Sequence, residues 1–543
     1  MRGERGALAG SADDTTGDAA SPDTASPRPG SVWRDPAVWV IAAAAFGAYF
    51  VISLLRLLRL SPTSWDLAIY TEYVKQLAAG RAPVVDVRGA GFNLLGDHFQ
   101  VALAVLAPFF RVVPSPATLL FFQAALTALS VFGVAAAASA LTGRTGGRLI
   151  GFAYGFSWGL QQMIDFDFHE IALAIPLLAF SVSALARRRP VAAIAWALPL
   201  VFVKEDQGFT VAAIGVLLGA TMAFRPVIPS LGWGNRRIAP WGALFLVAWG
   251  VFWSAFAIIV IIPHFNPDHQ YYFWGDGGAI GGGKPFSLGA LVTQAGGGWP
   301  TKGETLALLL LPTAFAALGS PLALIALPSL LLRFMSTNSM FWGTAFHYNA
   351  TVMPVLFIAA AEAIARCRRA SARDWPLAAG SSGALPPWPG AWPLGLDALR
   401  GPASRVRDGF RVARAGLARH GGAMMAAIAV ALAFQFPLSD LWAAATYRLD
   451  AHVAAADAAM AVVPDGATVQ TTLDLLAPLA ARTDTFWIGN AGNPVTRYIV
   501  FDGPDSGYSP AVTNVPAFIA RTYPHDGYAQ VFDQDGVYVF RRG

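Results

Sequence analysis

One cysteine, Cys367, is all that this chain contains. No intrachain disulfide can form, so any exported part must hold together without one. Charge is scarce as well: Asp, Glu, Lys and Arg make up 13% of the 543 residues, where a soluble protein carries about a quarter. Catalytic signatures are also missing. There is no HExxH and no Cys–His spacing of the zinc-site kind, and the glycine-rich GDGGAIGGGK has Pro285 after Lys284 and so departs from GxxxxGK[ST]. A nucleotide cradle is excluded. No convincing internal repeat appears, and repeats are what most transporters show.

What is abundant is apolar sequence. Hydrophobic residues make up 55% of the chain, with mean hydropathy +0.49. Apolar runs near the ~20 residues needed to cross a bilayer recur along most of the length. The sequence therefore reads as an all-α polytopic membrane protein. The net charge of +5 is modest, and the Lys and Arg clusters are orientation signals rather than a nucleic-acid footprint. Residues 1–35 lack an apolar core and have no defensible cleavage site; they read as a disordered cytoplasmic tail.

The rest of the chain is organised around residues 61–99, SPTSWDLAIYTEYVKQLAAGRAPVVDVRGAGFNLLGDHF. This stretch follows the first apolar run, 36–55, and holds Asp66, Glu72, Asp86, Asp97 and His98. Within it, Leu67, Ile69, Tyr70, Tyr73, Val74 and Leu77 recur at helical spacing, which suits a helix lying in the membrane interface. The next run, 99–113, is short for a crossing and is interrupted by Pro108. Leaving it on the outer face puts Arg144, Arg148, Arg187–Arg189, Arg236, Arg237 and the basic loop 366–420 on the cytoplasmic side, as the positive-inside rule requires. About eleven crossings follow at the usual length per span, with the amino terminus inside. Part of the basic loop, 400–419, has an apolar stripe among arginines and reads as an inner-surface helix or simply as a topological anchor. After Pro437 the composition changes. Short β-like runs and the Asp535–Gly536 hairpin signal predict a small exported α/β domain over 447–543.

In this topology the outer turns carry the ionisable groups. They are Asp66, Asp97 and His98; then DFDFHE with Asp167, His169 and Glu170; then Lys204, Glu205 and Asp206; then Asp268, His269, Asp276 and Lys284; and finally Arg333 and His347 near the last outer span ends. Any one of these has a plainer explanation as a helix cap or a solvated turn. Together they point to one polar site above a helical bundle, because ionisable groups at membrane depth are costly and often functional. Asp165, Asp167 and His169, or Asp97 with His98, are also compatible with a divalent metal. No cofactor is otherwise indicated.

The order of an amino-terminal span, an outer loop with an early Asp, a GDHF junction and a DFHE turn resembles an uncharacterised bacterial family of predicted membrane proteins. That family in turn is similar to the GT-C superfamily of integral-membrane glycosyltransferases, of the protein O-mannosyltransferase and aminoarabinose-transferase types. The resemblance implies a GT-C-like membrane domain over 36–437 and a plasma-membrane enzyme. Such an enzyme takes a sugar from a polyprenyl-phosphate donor and passes it to an extracytoplasmic acceptor. It also implies a catalytic role for Asp66 and matches Glu170 to an acidic position of the superfamily. Many of these enzymes have two acids together in the first loop; here Leu67 follows Asp66. From the residues themselves, Asp66 is placed to act as a base, with Asp97 and Glu170 next, and Lys204, Arg333 and His347 to face a lipid phosphate. His98, Asp167, His169, Glu205 and Asp206 complete the expected substrate site. The alternatives are a lipid or small-molecule transporter, and a non-catalytic scaffold presenting the tail domain.

Overall fold

The computed structural model describes residues 32–223, 239–272, 296–336, 338–379, 402–507 and 512–543. Asp276, Lys284, Arg236 and Arg237, and the amino-terminal tail up to residue 31, lie outside these.

The first helix, α1 (Pro36–Leu58), starts where Asp35 accepts the Ala37 N–H (3.1 Å) and proline occupies the first turn. Two residues past its end, Leu60 takes a positive φ of 51°. The chain then turns into α2 (Asp66–Ala78), whose residues 67–74 are all buried. The short run follows as a 3₁₀ turn at Val101–Leu106 and α3 (Ala107–Val112). Leu103, Leu106 and Phe110 pack on α2.

The longest helix, α4 (Pro116–Gly155), is two arms folded at Gly143, whose φ of +82° suits glycine. The arms run antiparallel: Gly151 abuts Ala135, and Gly155 abuts Val131. Ser130 and Tyr154 join them by a 2.8 Å hydrogen bond. The basic turn expected after residue 141 is therefore present as a tight reversal. It is followed by α5 (Trp158–Asp165), α6 (Ala174–Ala186), α7 (Pro190–Ala197), α8 (Gln207–Ala223) and α9 (Ala239–Phe256). The last of these continues through a π-turn at Ala257–Ile261 to Phe265. Helices α8 and α9 meet at Gly208 and Gly250; a Cβ on Gly208 would lie 2.3 Å from the Gly250 carbonyl oxygen. Small residues give membrane helices this close approach. Further on come α10 (Trp299–Leu310), α11 (Leu327–Phe334), α12 (Val352–Ala379) and α13 (Pro402–Ala433).

Among the described residues, five helical stretches are long and apolar enough to cross a membrane, one of them the folded α4–α5 unit, and shorter apolar helices pack against them. Successive helices run between two ends of one bundle. Asp35, Arg144, Arg148 and Arg368 mark one end; Asp66, Glu170, Glu205 and His347 mark the other.

The tail forms an α/β domain built from α14 (Ala451–Ala461), α15 (Leu476–Ala480), α16 (Val515–Thr522) and five strands: β1 (Thr468–Thr471), β2 (Asp484–Trp487), β3 (Tyr498–Asp502), β4 (Tyr528–Gln534) and β5 (Val537–Arg542). The sheet order is β2-β1-β3-β5-β4. β1 is parallel to both β2 and β3, and the β4–β5 hairpin turns at Asp535–Gly536. The domain sits on α2. Leu476, Ala477 and Ala480 join the α2 core, the Lys75 ammonium donates to the Thr483 carbonyl (2.6 Å), and Trp65 meets Trp487 edge to face.

Candidate active site at the acidic end of the bundle

A cavity of about 370 Å³ opens at this end, within the size range of small-molecule sites. Nine of the sequence-predicted residues line it: Asp66, Asp97, His98, His169, Lys204, Glu205, Asp206, Arg333 and His347. They come from six separate turns. Apolar walls from Ile69, Leu94, Phe209, Ile258 and Leu332 lie beside them.

Asp66 begins α2. Its carboxylate accepts the Ser64 hydroxyl (2.7 Å) and lies 3.4 Å from His169 Nε2, with a quarter of the side chain exposed. Burial pushes its carboxyl up, but the bonds to His169 and Ser64 outweigh that and hold it below the usual range. It is therefore an ionised carboxylate facing an open space. His169 stacks on His347 at 3.9 Å between ring centroids. Both His347 ring nitrogens are buried without a hydrogen-bond partner, as is His169 Nδ1.

Two buried ion pairs stand at the cavity. The Lys204 ammonium donates to Glu170 (2.8 Å), and Tyr70 donates to the other Glu170 oxygen. Burial lowers the Lys204 ammonium, but Glu170, Glu205 and Asp206 together raise it above its ordinary value. Glu170 itself is fully buried behind Lys204 and does not line the cavity. His98 Nδ1 lies 2.7 Å from Glu205, whose other oxygen accepts the Phe99 N–H; Tyr271 also donates to this carboxylate (3.0 Å). Burial and Lys204 lower the His98 imidazole, but Glu205 and Asp97 raise it further. Burial raises the Asp206 carboxyl. Asp97 stands 3.5 Å from Arg88.

Some expected groups are committed elsewhere. Arg333 donates to the carbonyls of Phe341, Gly343 and Tyr348 and to Asn349, so it fixes the loop that carries His347. Asp167 does not line the cavity; it accepts the Thr63 N–H (3.0 Å), and burial pushes it up to about 6. Arg56 pairs with Asp165. With Asp165 drawn to Arg56, Asp167 to Thr63 and His169 to Asp66, the metal-type grouping expected in DFDFHE does not converge. Glu72 turns away from the cavity, accepts the Val87 N–H and is raised to about 8 by burial, so it is no second acid beside Asp66.

Three contributors were not singled out in the sequence. Tyr70 reads as part of the apolar helical stripe, although its place one turn after Asp66 puts both on one helix face. Tyr271 and Gln100 lie in segments where the sequence gives them no distinguishing context. Gln100 is 1% exposed, with an unpartnered amide oxygen.

Residues 56–382 match the model of a family described as predicted membrane protein (DUF2079). That is more than half of the chain, which therefore belongs to this family. No curated protein matches. Among solved structures, ArnT from Cupriavidus metallidurans bound to undecaprenyl phosphate is similar at 15% identity and TM-score 0.49, over 93% of this chain and 97% of that one. Its apo form gives 15% and 0.48 over 94% and 98%. The apo oligosaccharyltransferase of Archaeoglobus fulgidus gives 11% and 0.34 over 92% and 74%.

Proposed function

We propose that this family member is a membrane glycosyltransferase, taking a sugar from a polyprenyl-phosphate donor and passing it to an acceptor at the extracytoplasmic face. The observation that carries the reading is Asp66: an ionised, partly open carboxylate that lines the same cavity as Lys204 and His347. Transfer with inversion needs those parts. Asp66 takes the proton of the acceptor as the acceptor atom bonds to the anomeric carbon. The bond from that carbon to the phosphate breaks, and the lipid phosphate leaves with its charge. Lys204 keeps N–H donors beyond the one given to Glu170, which suits that phosphate, and His347 lines the same cavity. The apolar wall suits the first isoprene units. Glu170 is a positioning residue that holds Lys204. The acidic end then faces outward and the arginine end the cytoplasm.

The test is sugar transfer by purified protein in lipid vesicles carrying polyprenyl-phosphate sugars. Wild type transfers sugar, and Asp66→Asn, which keeps size and capping ability, slows transfer by about 100- to 10,000-fold while the protein stays folded. Retention of most of the rate in Asp66→Asn removes Asp66 as the base. An inactive wild type across the donor series removes the glycosyltransferase reading.

A further inference from the structure

The tail domain holds a second cluster of ionisable groups that the cavity does not use. Its sheet has β1 flanked by β2 on one side and β3 on the other, all three parallel. In open α/β sheets of this order, ligands bind in the crevice beyond the carboxyl ends of the strands, where the connections diverge. Asp502 is the last residue of β3, Asp474 follows β1 by three residues, and Asp505 lies in the loop after β3. His452, in the first turn of α14, reaches over the same place. One ligand atom from each of His452, Asp502 and Asp505 lies within 4.8 Å of the others. His452 Nε2 stands 2.7 Å from Asp502, and its Nδ1 stands 3.0 Å from the Asp535 carbonyl. A ring held through Nδ1 by a backbone carbonyl presents Nε2 as a ligand, the arrangement usual for metal-bound histidines.

A separate observation points to a missing partner. Asp474 is 5% exposed and interacts electrostatically with Asp502, yet neither of its carboxylate oxygens has a hydrogen-bond partner. Two buried carboxylates facing each other are costly unless a proton or a cation lies between them.

We propose that His452, Asp474, Asp502 and Asp505 form a binding site for one hard divalent cation at the switch point of the tail-domain sheet. The oxygen-rich set suits Mg²⁺ or Mn²⁺, and the single imidazole favours Mn²⁺. The ion ties together α14, the segment after β1 and the loop after β3. This site is separate from the bundle cavity and does not depend on the activity proposed there.

The test uses full-length protein in lipid nanodiscs, stripped with EDTA and titrated with Mn²⁺ while the paramagnetic resonance of free Mn²⁺ is followed. The expected result is one Mn²⁺ per chain, saturating below about 1 mM and displaced by excess Mg²⁺. Asp502→Asn and Asp505→Asn each weaken binding by about tenfold or more, whereas Asp66→Asn binds as wild type. Asp505 is 64% exposed, so its variant keeps the test decisive if Asp502→Asn misfolds. The proposal fails if no saturable binding appears, if only Zn²⁺ binds, or if Asp66→Asn abolishes binding while Asp505→Asn retains it.

Discussion

At one end of the bundle the charged groups serve helix ends, and the arginines among them are partly exposed. Asp35 caps α1 and pairs with Arg148 (2.9 Å) and Arg144 (3.4 Å), whose side chains are 38% and 64% exposed. Arg368 donates to the Thr142 carbonyl, at the end of the first α4 arm, and to that of Ala418. At the other end the charges are buried: Glu170 and Glu205 are at most 1% exposed, and each is met by a cation and a tyrosine. Anchoring a helix end requires only a charge near unsatisfied carbonyls. Burying a pair beside a cavity is far more expensive, and the acidic end bears that expense in two places around one empty volume. The contrast separates orientation signals from a site better than residue type does, since both ends are polar in sequence.

The largest effect on folding should come from breaking a buried pair. Lys204→Met leaves the Glu170 carboxylate buried, with the Tyr70 hydroxyl still donating to it. Removing one partner of such a pair costs about 3–5 kcal/mol. The expected outcome is a clear drop in the detergent-solubilised melting temperature, partly restored in the Lys204→Met/Glu170→Gln double variant. Additive losses in the double-mutant cycle would show that the two residues act independently.

A second test turns on pH. His98 is raised above its ordinary 6.5 and Glu205 is lowered below its ordinary 4.5. A group raised on folding contributes stability that is fully present below 6.5 and lost as pH climbs through the folded value. A group lowered on folding contributes stability present above 4.5 and lost as pH falls through its folded value. The pair is therefore strongest between about 4.5 and 6.5. Melting temperature should fall as pH rises from that window, and His98→Gln should flatten the alkaline side of the profile. An unchanged profile in His98→Gln would place the alkaline loss elsewhere.

Much of this comparison could be read in the sequence, because a membrane constrains it. Apolar runs mark the helices, and the charge of the turns between them assigns each turn to an end. The β4–β5 hairpin was legible in Asp535–Gly536, a turn chemistry that is local. Partner choice was not legible. Asp167 and Glu170 stand three residues apart in one turn, yet one caps the chain at Thr63 and the other holds Lys204. Arg333 looked like a phosphate ligand, but its donors close a loop. Such outcomes depend on long-range approach, which spacing along the chain does not encode. The tail-domain cluster was hidden for the same reason: His452 and Asp502 are fifty residues apart.

The smallest effect should appear at the arginine end. Arg368→Ala removes a guanidinium from the Thr142 and Ala418 carbonyls. The Thr142 carbonyl ends a helix arm, where a cation is typically worth about 0.3–1 kcal/mol. Because Gly143 already fixes the reversal, the arm keeps its direction without the arginine. A slight fall in melting temperature is expected, well below that of Lys204→Met, with sugar transfer unchanged. A loss as large as that of Lys204→Met would mean that both ends rest on buried electrostatics, and the division drawn between them would not hold.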